Sequence, residues 1–410
     1  MVRRNSCFTT ERPESRDGCM YLDYTPEQYA LRDQLRAYFA ELMIPELQAE
    51  VTGGEGGGPL YRQALRKMGG DGWLGIGWPA EYGGQGRGPI EQFIFSDEVQ
   101  RAGFPLPFLT LNTVGPTLME NGTEEQKRQF LPRILRGELH FSIGYTEPNA
   151  GTDLASLRTR AVRDGDSYVI NGSKVFTSLA EHADYIWLAV RTDPAAKKHH
   201  GISIFMVDTT LPGYKCTPIY TMAGVRTNAT FYDDVRVPAS ALVGRENEGW
   251  FLITSQLNRE RISLTTVGPL DRLLGEVRRW AQETHLADGR RVIDQPWVCQ
   301  KLARLRAKWE ALKLLSWRQA WCMTQGSLNF ADASALKVYA SEFYVEAYQH
   351  LLEIVGQQGA VKAGSPGAIL QGRLEFIYRA TLILTFGGGT NEVQRDIIAM
   401  AGLGMPRTLR

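Results

Sequence analysis

The pattern of apolar residues changes period twice along the chain, and that limits the fold more than any other feature. Up to about residue 140 the spacing is helical. From Phe141 to about residue 245 it gives way to short runs rich in β-branched and aromatic residues. From about residue 246 the helical spacing returns. A β unit of about 100 residues, a plausible domain size, is therefore flanked by two helical regions. Asp164-Gly165 and Asn171-Gly172 read as hairpin dipeptides that bracket a strand at Ser167-Tyr168-Val169-Ile170. Tyr185 to Val190 and Ile202 to Val207 are further strand candidates. These runs predict a compact antiparallel unit.

Helix starts are written into the first region. Thr25-Pro26-Glu27-Gln28 has an N-cap Thr, Pro at the first helical position and Gln three residues after the cap. Thr123-Glu124-Glu125-Gln126 repeats the Thr-to-Gln spacing. The glycine run from Gly53 to Gly58 and the stretch Trp78 to Gly86 read as connectors. In the last region Trp297 to Gln325 carries Leu302, Leu305, Trp309, Leu312 and Trp317 at mostly helical spacing, which predicts core. Gly387-Gly388-Gly389 breaks the final helical block. No internal repeat or low-complexity tract occurs.

At 410 residues the chain suits two or three domains, and its core needs no staple. A formal charge of +1 gives no preference for nucleic acid or an anionic membrane. The five cysteines are scattered and include no CxxC. That speaks against a disulfide framework or a zinc site and fits a reducing cytoplasm. No run of about 18 apolar residues suggests a membrane span. Met1 to Cys19 is polar, Arg-rich and without an apolar stretch, so it is not a secretory signal. It reads as a disordered extension, or as sequence upstream of a start at Met20. The expected division is an extension over 1–19, a helical domain over 20–140, a β domain over 141–245 and a helical bundle over 246–410.

The most specific stretch runs from His140 to Asp153, at the entrance to the β unit. Small residues and hydroxyls alternate there, with glycines and a proline fixing the path. Such a segment can present backbone N–H groups and Thr hydroxyls to a planar polar ligand. The plainer reading is a capped turn with Glu147 and Asp153 as N-cap residues. Thr146-Glu147-Pro148-Asn149-Ala150-Gly151-Thr152-Asp153 resembles the signature of the acyl-CoA dehydrogenase family. The likeness runs on through Asn171-Gly172-Ser173-Lys174-Val175-Phe176-Thr177-Ser178. It resumes at Leu257-Asn258-Arg259-Glu260-Arg261 and at Gly389-Thr390-Asn391-Glu392-Val393-Gln394-Arg395. It covers nearly everything after Met20.

The resemblance implies an α+β fold: an N-terminal helical domain, a middle antiparallel β-barrel-like domain and a C-terminal four-helix bundle. It implies FAD between the last two. Tyr145, Thr146, Gly151, Thr152, Thr177, Ser178, Thr390 and Glu392 match cofactor positions, and Phe176 stands where an aromatic usually lies against the isoalloxazine. Asn258 and Arg261 match positions facing the coenzyme A. The reaction implied is α,β-dehydrogenation of an acyl-CoA, with electron-transfer flavoprotein or a similar acceptor downstream. No metal site is expected.

Two positions in such a family supply the base for the α-proton. One is a Glu in the loop before the final helix. Here Gly388 stands in its place. The other is the Glu before an Arg in the helix that opens the bundle, which is Glu260. Its helical neighbours are Gln256, Leu257, Ser263 and Leu264, with Ile253 two turns back. That face is mixed to apolar, which raises a carboxylate pKa toward a working base. A Glu paired with Arg259 or Arg261 on a solvated face is the plainer alternative; the missing Glu at 388 tips the balance to Glu260.

The segments that homotetrameric relatives lend to a neighbour's cofactor are altered. Gly289-Arg290-Arg291-Val292-Ile293-Asp294 is short of the Arg-x-x-Phe element. Glu353 puts a negative charge where a neutral amide is expected. These departures predict an α2β2 hetero-oligomer with a related subunit, as in the actinobacterial enzymes acting on steroid side-chain CoA thioesters. A homo-oligomer is the alternative. The competing functions are a non-catalytic partner subunit and a flavin oxidase or monooxygenase on the same scaffold.

Overall fold

The computed structural model describes residues 23–52, 56–263 and 265–406, with the backbone alone over 257–263. The extension over 1–19, Met20 and the Gly53–Glu55 part of the glycine run lie outside the described residues.

The N-terminal region is helical: α1 (Pro26–Leu42), α2 (Pro45–Val51), α3 (Pro59–Gly70), α4 (Pro89–Ala102), α5 (Gly115–Asn121) and α6 (Glu124–Leu135). Both sequence-read capping boxes form. Thr25 Oγ1 accepts from Gln28 N at 3.3 Å, and Gln28 Oε1 accepts from Thr25 N at 3.0 Å. In the second box Gln126 also works at longer range. Its Nε2 donates to Ser240 O and Leu242 O, each at 2.8 Å, and so pins α6 to the β region. A π-helical turn, Leu109–Val114, leads into α5.

The middle region is one sheet made of β1 (Phe141–Gly144), β2 (Arg160–Asp164), β3 (Ser167–Lys174), β4 (Tyr185–Arg191), β5 (Ile202–Asp208), β6 (Tyr214–Tyr220), β7 (Arg226–Pro238) and β8 (Leu242–Val243). The order is β6-β7-β3-β2-β4-β5-β8, with β1 beside β4. The antiparallel expectation holds for most pairs. It fails at β1–β4, which is parallel from Phe141–Tyr185 to Gly144–Leu188, and at the Arg160–Arg191 contact of β2 with β4. Parallel pairing needs a long connection, and residues 145–184 supply it. No β6–β8 pairing closes the sheet among the described residues. One of its faces builds a core of Ile170, Ile186, Leu188, Phe205, Val207 and Val235. Residues on its other face, among them Trp187, Ala189 and Ile204, join the core of the N-terminal helices, as the period of two requires.

The two hairpin dipeptides have different outcomes. Asp164 pairs with Ser167, so Gly165 and Asp166 form a two-residue turn, with Gly165 at φ +61°. Asn171-Gly172 is not a turn. β3 continues through it to Lys174, with a bulge between Ile170 and Gly172. Asn171 bonds Asp234 on β7 in both directions, at 2.9 and 3.0 Å. Gly172 adopts φ +147°, and a Cβ there would lie 2.7 Å from Thr159 Cα. Close approach of backbone, not chain reversal, calls for the glycine.

The C-terminal region holds α7 (Gly249–Ser263), α8 (Gly268–Glu283), α9 (Pro296–Thr324), α10 (Phe330–Val355), α11 (Arg373–Thr381) and α12 (Asn391–Ile397). Leu305, Trp309 and Leu312 are buried in the bundle as read, and Leu302 packs at its edge. Trp317 departs from that reading. It is half-buried and leaves the bundle to meet Tyr24, with ring centroids 4.5 Å apart and an indole N–H bond of 3.0 Å. No helix of the described residues is long and apolar enough to cross a membrane.

Candidate functional site

The segment after β1 is held from beneath by a buried ion pair. Lys174, at the end of β3, donates to Tyr145 O at 3.1 Å and to Glu147 Oε1 at 2.9 Å. Glu147 also accepts from the Arg158 and Thr159 N–H groups at 2.7 and 2.8 Å. Burial alone would raise the Glu147 carboxyl. The Lys174 ammonium and the Thr159 contacts hold it below the ordinary carboxylate range. Burial pulls the Lys174 ammonium down to about 8 against the pull of Glu147. Of the two N-cap candidates, Glu147 caps no helix, and Asp153 stands at the N-cap of the short turn Leu154–Ser156 without a side-chain cap bond. Asp153 pairs with Lys198 at 2.6 Å instead. The path between them is a tight reversal in which Glu147 and Ala150 exchange backbone bonds of 3.1 and 3.0 Å. Gly151 and Thr152 follow it on the surface.

Five of the expected cofactor residues come together. Val175 N donates to Thr146 O at 2.9 Å, which sets Tyr145-Thr146 beside Phe176-Thr177-Ser178. Asn228 on β7 holds the second segment, accepting from Thr177 N at 2.9 Å and donating to Thr177 O at 3.1 Å. Ser142 Oγ donates to Ser178 O at 2.8 Å. Phe176 has φ +59° and is 62 % exposed. An aromatic in the left-handed region is uncommon and strained, and its ring face is open to a ligand.

Thr390 and Glu392 stand on a separate element. The Thr390 hydroxyl accepts from Val393 N at 3.3 Å and caps α12. Glu392 is exposed, and its own backbone N–H and Thr390 hold its carboxyl low. The loop before them is fixed to α10 by Lys337, which donates to Gly389 O at 2.8 Å and Asn391 Oδ1 at 2.7 Å. Gly388 and Gly389 have φ +67° and +97°, so a side chain at 388 would be strained as well as absent.

Glu260, Asn258 and Arg261 lie on α7, and their side chains lie outside the described residues. The same helix contributes Gln256, which the sequence reading named as a helical neighbour of Glu260 without giving it a role. Its Oε1 accepts from the Tyr145 hydroxyl and from Trp187 Nε1, the latter at 3.2 Å. The loop after β1, strand β4 and α7 thus meet at one amide. Helical register puts position 260 one turn beyond it. No local signal marks Gln256, because its two partners lie 111 and 69 residues away.

These residues suit a flavin. Two buried polar atoms beside them have no partner: Gln256 Nε2 next to Tyr145, and Asn228 Oδ1 next to Thr177. An isoalloxazine edge carries both donors and acceptors that such atoms need. No group of three or more His, Cys, Asp or Glu residues able to hold a metal ion occurs among the described residues.

The segments expected to serve a neighbour are engaged within the chain. Arg290 is bonded to Asp288 and Arg291 to Asp294. Glu353 pairs with Lys301 and, at 3.1 Å, with His350, so its charge is offset locally.

Comparison with known proteins gives a consistent result. Three family profiles match: acyl-CoA dehydrogenase N-terminal domain over residues 25–138, middle domain over 142–235 and C-terminal domain over 247–403. Acyl-CoA dehydrogenase FadE26 of Mycobacterium tuberculosis is 56% identical over 400 residues, covering 95% of this chain and 100% of that protein. The ChsE4-ChsE5 complex from Mycobacterium tuberculosis contains a chain that superposes with a TM-score of 0.89 at 56% identity, over 95% of this chain and 100% of that one. The Tcur3481-Tcur3483 steroid ACAD gives a TM-score of 0.90 at 52% identity with the same coverage.

Proposed function

The chain belongs to the acyl-CoA dehydrogenase family, and on that premise we propose that it catalyses FAD-dependent α,β-dehydrogenation of a bulky acyl-CoA of the steroid side-chain type. FAD, when bound, supplies the acceptor for the β-hydride. Tyr145, Thr146, Gly151, Thr152, Thr177 and Ser178 would hold the ring system, Phe176 would supply an aromatic contact to it, and Thr390 and Glu392 would contribute from the bundle. Glu260 takes the α-proton. Asn258 and Arg261 bind the coenzyme A portion.

The observation that carries this reading is the bond from Tyr145 to Gln256. It ties the segment expected at the flavin to the helix that carries Glu260. Gly388 supports it from the other side, since the alternative base position holds no carboxylate and has a backbone suited to glycine. Removal of a weakly acidic proton requires a poorly hydrated carboxylate, and Leu252 and Ile253 earlier on the same helix are buried. The substrate class and the hetero-oligomer draw support from the relatives, one of them named a steroid ACAD and both solved as two-protein complexes. The commitment of Arg290, Arg291 and Glu353 to their own chain points the same way. Electron-transfer flavoprotein or a similar carrier takes the electrons onward.

Anaerobic addition of a steroid side-chain acyl-CoA to the FAD-loaded complex should bleach the flavin. Glu260→Gln should abolish bleaching while FAD stays bound. Turnover retained in that variant would exclude Glu260 as the base. Turnover only with dioxygen would favour an oxidase or monooxygenase, and no bleaching with any acyl-CoA a non-catalytic subunit.

A further inference from the structure

Gln256 is 1 % exposed and sits where α7 meets Tyr145 and Trp187. Which end of its carboxamide faces which neighbour follows from chemistry. An indole N–H only donates, so the atom facing Trp187 is the amide oxygen. The Tyr145 hydroxyl donates to the same oxygen. Nε2 is therefore directed away from both and is buried without an acceptor. The turn Leu109–Val114 packs on α7, and there Thr113 Oγ1 is a second buried atom with no partner. Unpaired buried donors are rare in native cores. One that is oriented by two other bonds, on the helix of the proposed base and against the proposed flavin segment, implies a ligand that completes it.

We infer that Gln256 Nε2 donates a hydrogen bond to an oxygen atom of the ligand filling this site, and so acts as a binding residue for an oxygen-bearing group. The inference rests on the reading of the site given above. Two ligands carry such an oxygen, the flavin through a ring carbonyl and the acyl-CoA through an oxygen of its acyl portion. A site built around a buried donor discriminates strongly against a ligand that lacks the acceptor.

Two variants test it in the complex purified with its related subunit. Gln256→Glu keeps an oxygen for Tyr145 and Trp187 and replaces the donor with an acceptor. Gln256→Met keeps the length and removes both functions. FAD affinity is read by quenching of flavin fluorescence, and cholestanoyl-CoA affinity by perturbation of the flavin absorbance band. At pH 8 the Gln256→Glu protein should bind one of the two ligands about tenfold or more weakly. Weakened FAD identifies the cofactor as the acceptor; unchanged FAD with weakened acyl-CoA identifies the substrate. Lowering the pH protonates the new carboxyl, restores a donor and should recover the lost affinity, which a purely structural role would not produce. If Gln256→Met does not fold, the pH-dependent recovery in Gln256→Glu decides alone. Affinities for both ligands within twofold of wild type in either folded variant would overturn the inference, as would a loss that pH does not reverse. Failure of the wild-type complex to bleach would instead remove the reading of the site and leave the binding comparison standing.

Discussion

Among single residues, Phe176 shows strain next to an open ring face. Its φ of +59° costs about 1 kcal/mol in a non-glycine residue, and its ring, largely exposed, recovers little of that in the free chain. Phe176→Gly should raise the thermal stability of the chain by up to about 1 kcal/mol and weaken FAD binding roughly fivefold, the loss of one stacking contact. A variant that is both less stable and unchanged in FAD affinity would show that the ring serves only packing. His140 gives a pH test. Burial first, then the nearby Arg62, pulls its imidazole down to about 4. That lies below the unfolded value of about 6.5. Its contribution to stability is therefore present above pH 6.5 and lost as the pH falls through 4, to as much as about 3 kcal/mol. His140→Gln should flatten the stability profile across that window in urea titrations. An identical slope in the variant would assign the acid sensitivity elsewhere.

Elements are joined here by carboxylates, and two of them, the buried Glu147 and the half-buried Asp97, give predictions of opposite kind. Lys174 and Glu147 fix the end of β3 to the segment after β1. Lys174→Met strands a buried charge and should destabilise by roughly 3–5 kcal/mol, while adding Glu147→Gln should restore much of the loss. Four urea curves compare the cycle, and additive single effects would refute a coupled pair. At the junction of α4 and α8, Asp97 Oδ1 accepts from the Val267 and Gly268 N–H groups at 2.8 and 2.7 Å. Burial, reinforced by Glu98, raises its carboxyl to about 7 despite those bonds. The folded value exceeds the unfolded one, so this stabilisation is complete below about pH 3.9 and lost as the pH rises through 7. Asp97→Asn keeps the accepting oxygen and should be more stable than wild type at pH 8, on the order of 2 kcal/mol. Equal effects at pH 5 and pH 8 would contradict a titrating Asp97. Local signals served well at this scale where both partners lie within a turn. Thr25 with Gln28 and Thr123 with Gln126 were legible for that reason. Asn171-Gly172 was misread because its partners, Asp234 and Thr159, come from other strands, and a dipeptide does not reveal which strand passes beside it.

In the whole molecule, three cores carry the architecture. One unites the N-terminal helices, one face of the sheet and Leu252 and Ile253 of α7. The second lies on the other face of the sheet and the third fills the bundle. The bundle leaves Leu314, Trp321, Phe330, Phe386 and Leu403 exposed, apolar area of the kind that associating proteins cover. Together with the internal pairing of Arg290, Arg291 and Glu353, this supports a site completed by a related subunit. The chain purified alone should carry well under one FAD per polypeptide, and the complex with its related subunit should carry more. Flavin absorbance against mass measures both, and full loading of the isolated chain would refute shared completion.

The sequence by itself determined the helix–sheet–helix order, the capped helix starts and the family, because periodicity and short motifs act between residues near in the chain. It also identified Gly388 as a position without a base, since a missing carboxylate needs no coordinates. Only the tertiary structure decided that β1 runs parallel to β4, that Lys174 and Glu147 are a buried pair, and that Gln256 ties Tyr145 and Trp187 to the helix of Glu260. Each depends on groups many residues apart being brought within hydrogen-bonding distance, and burial then makes an unpaired polar atom or an uncompensated charge costly.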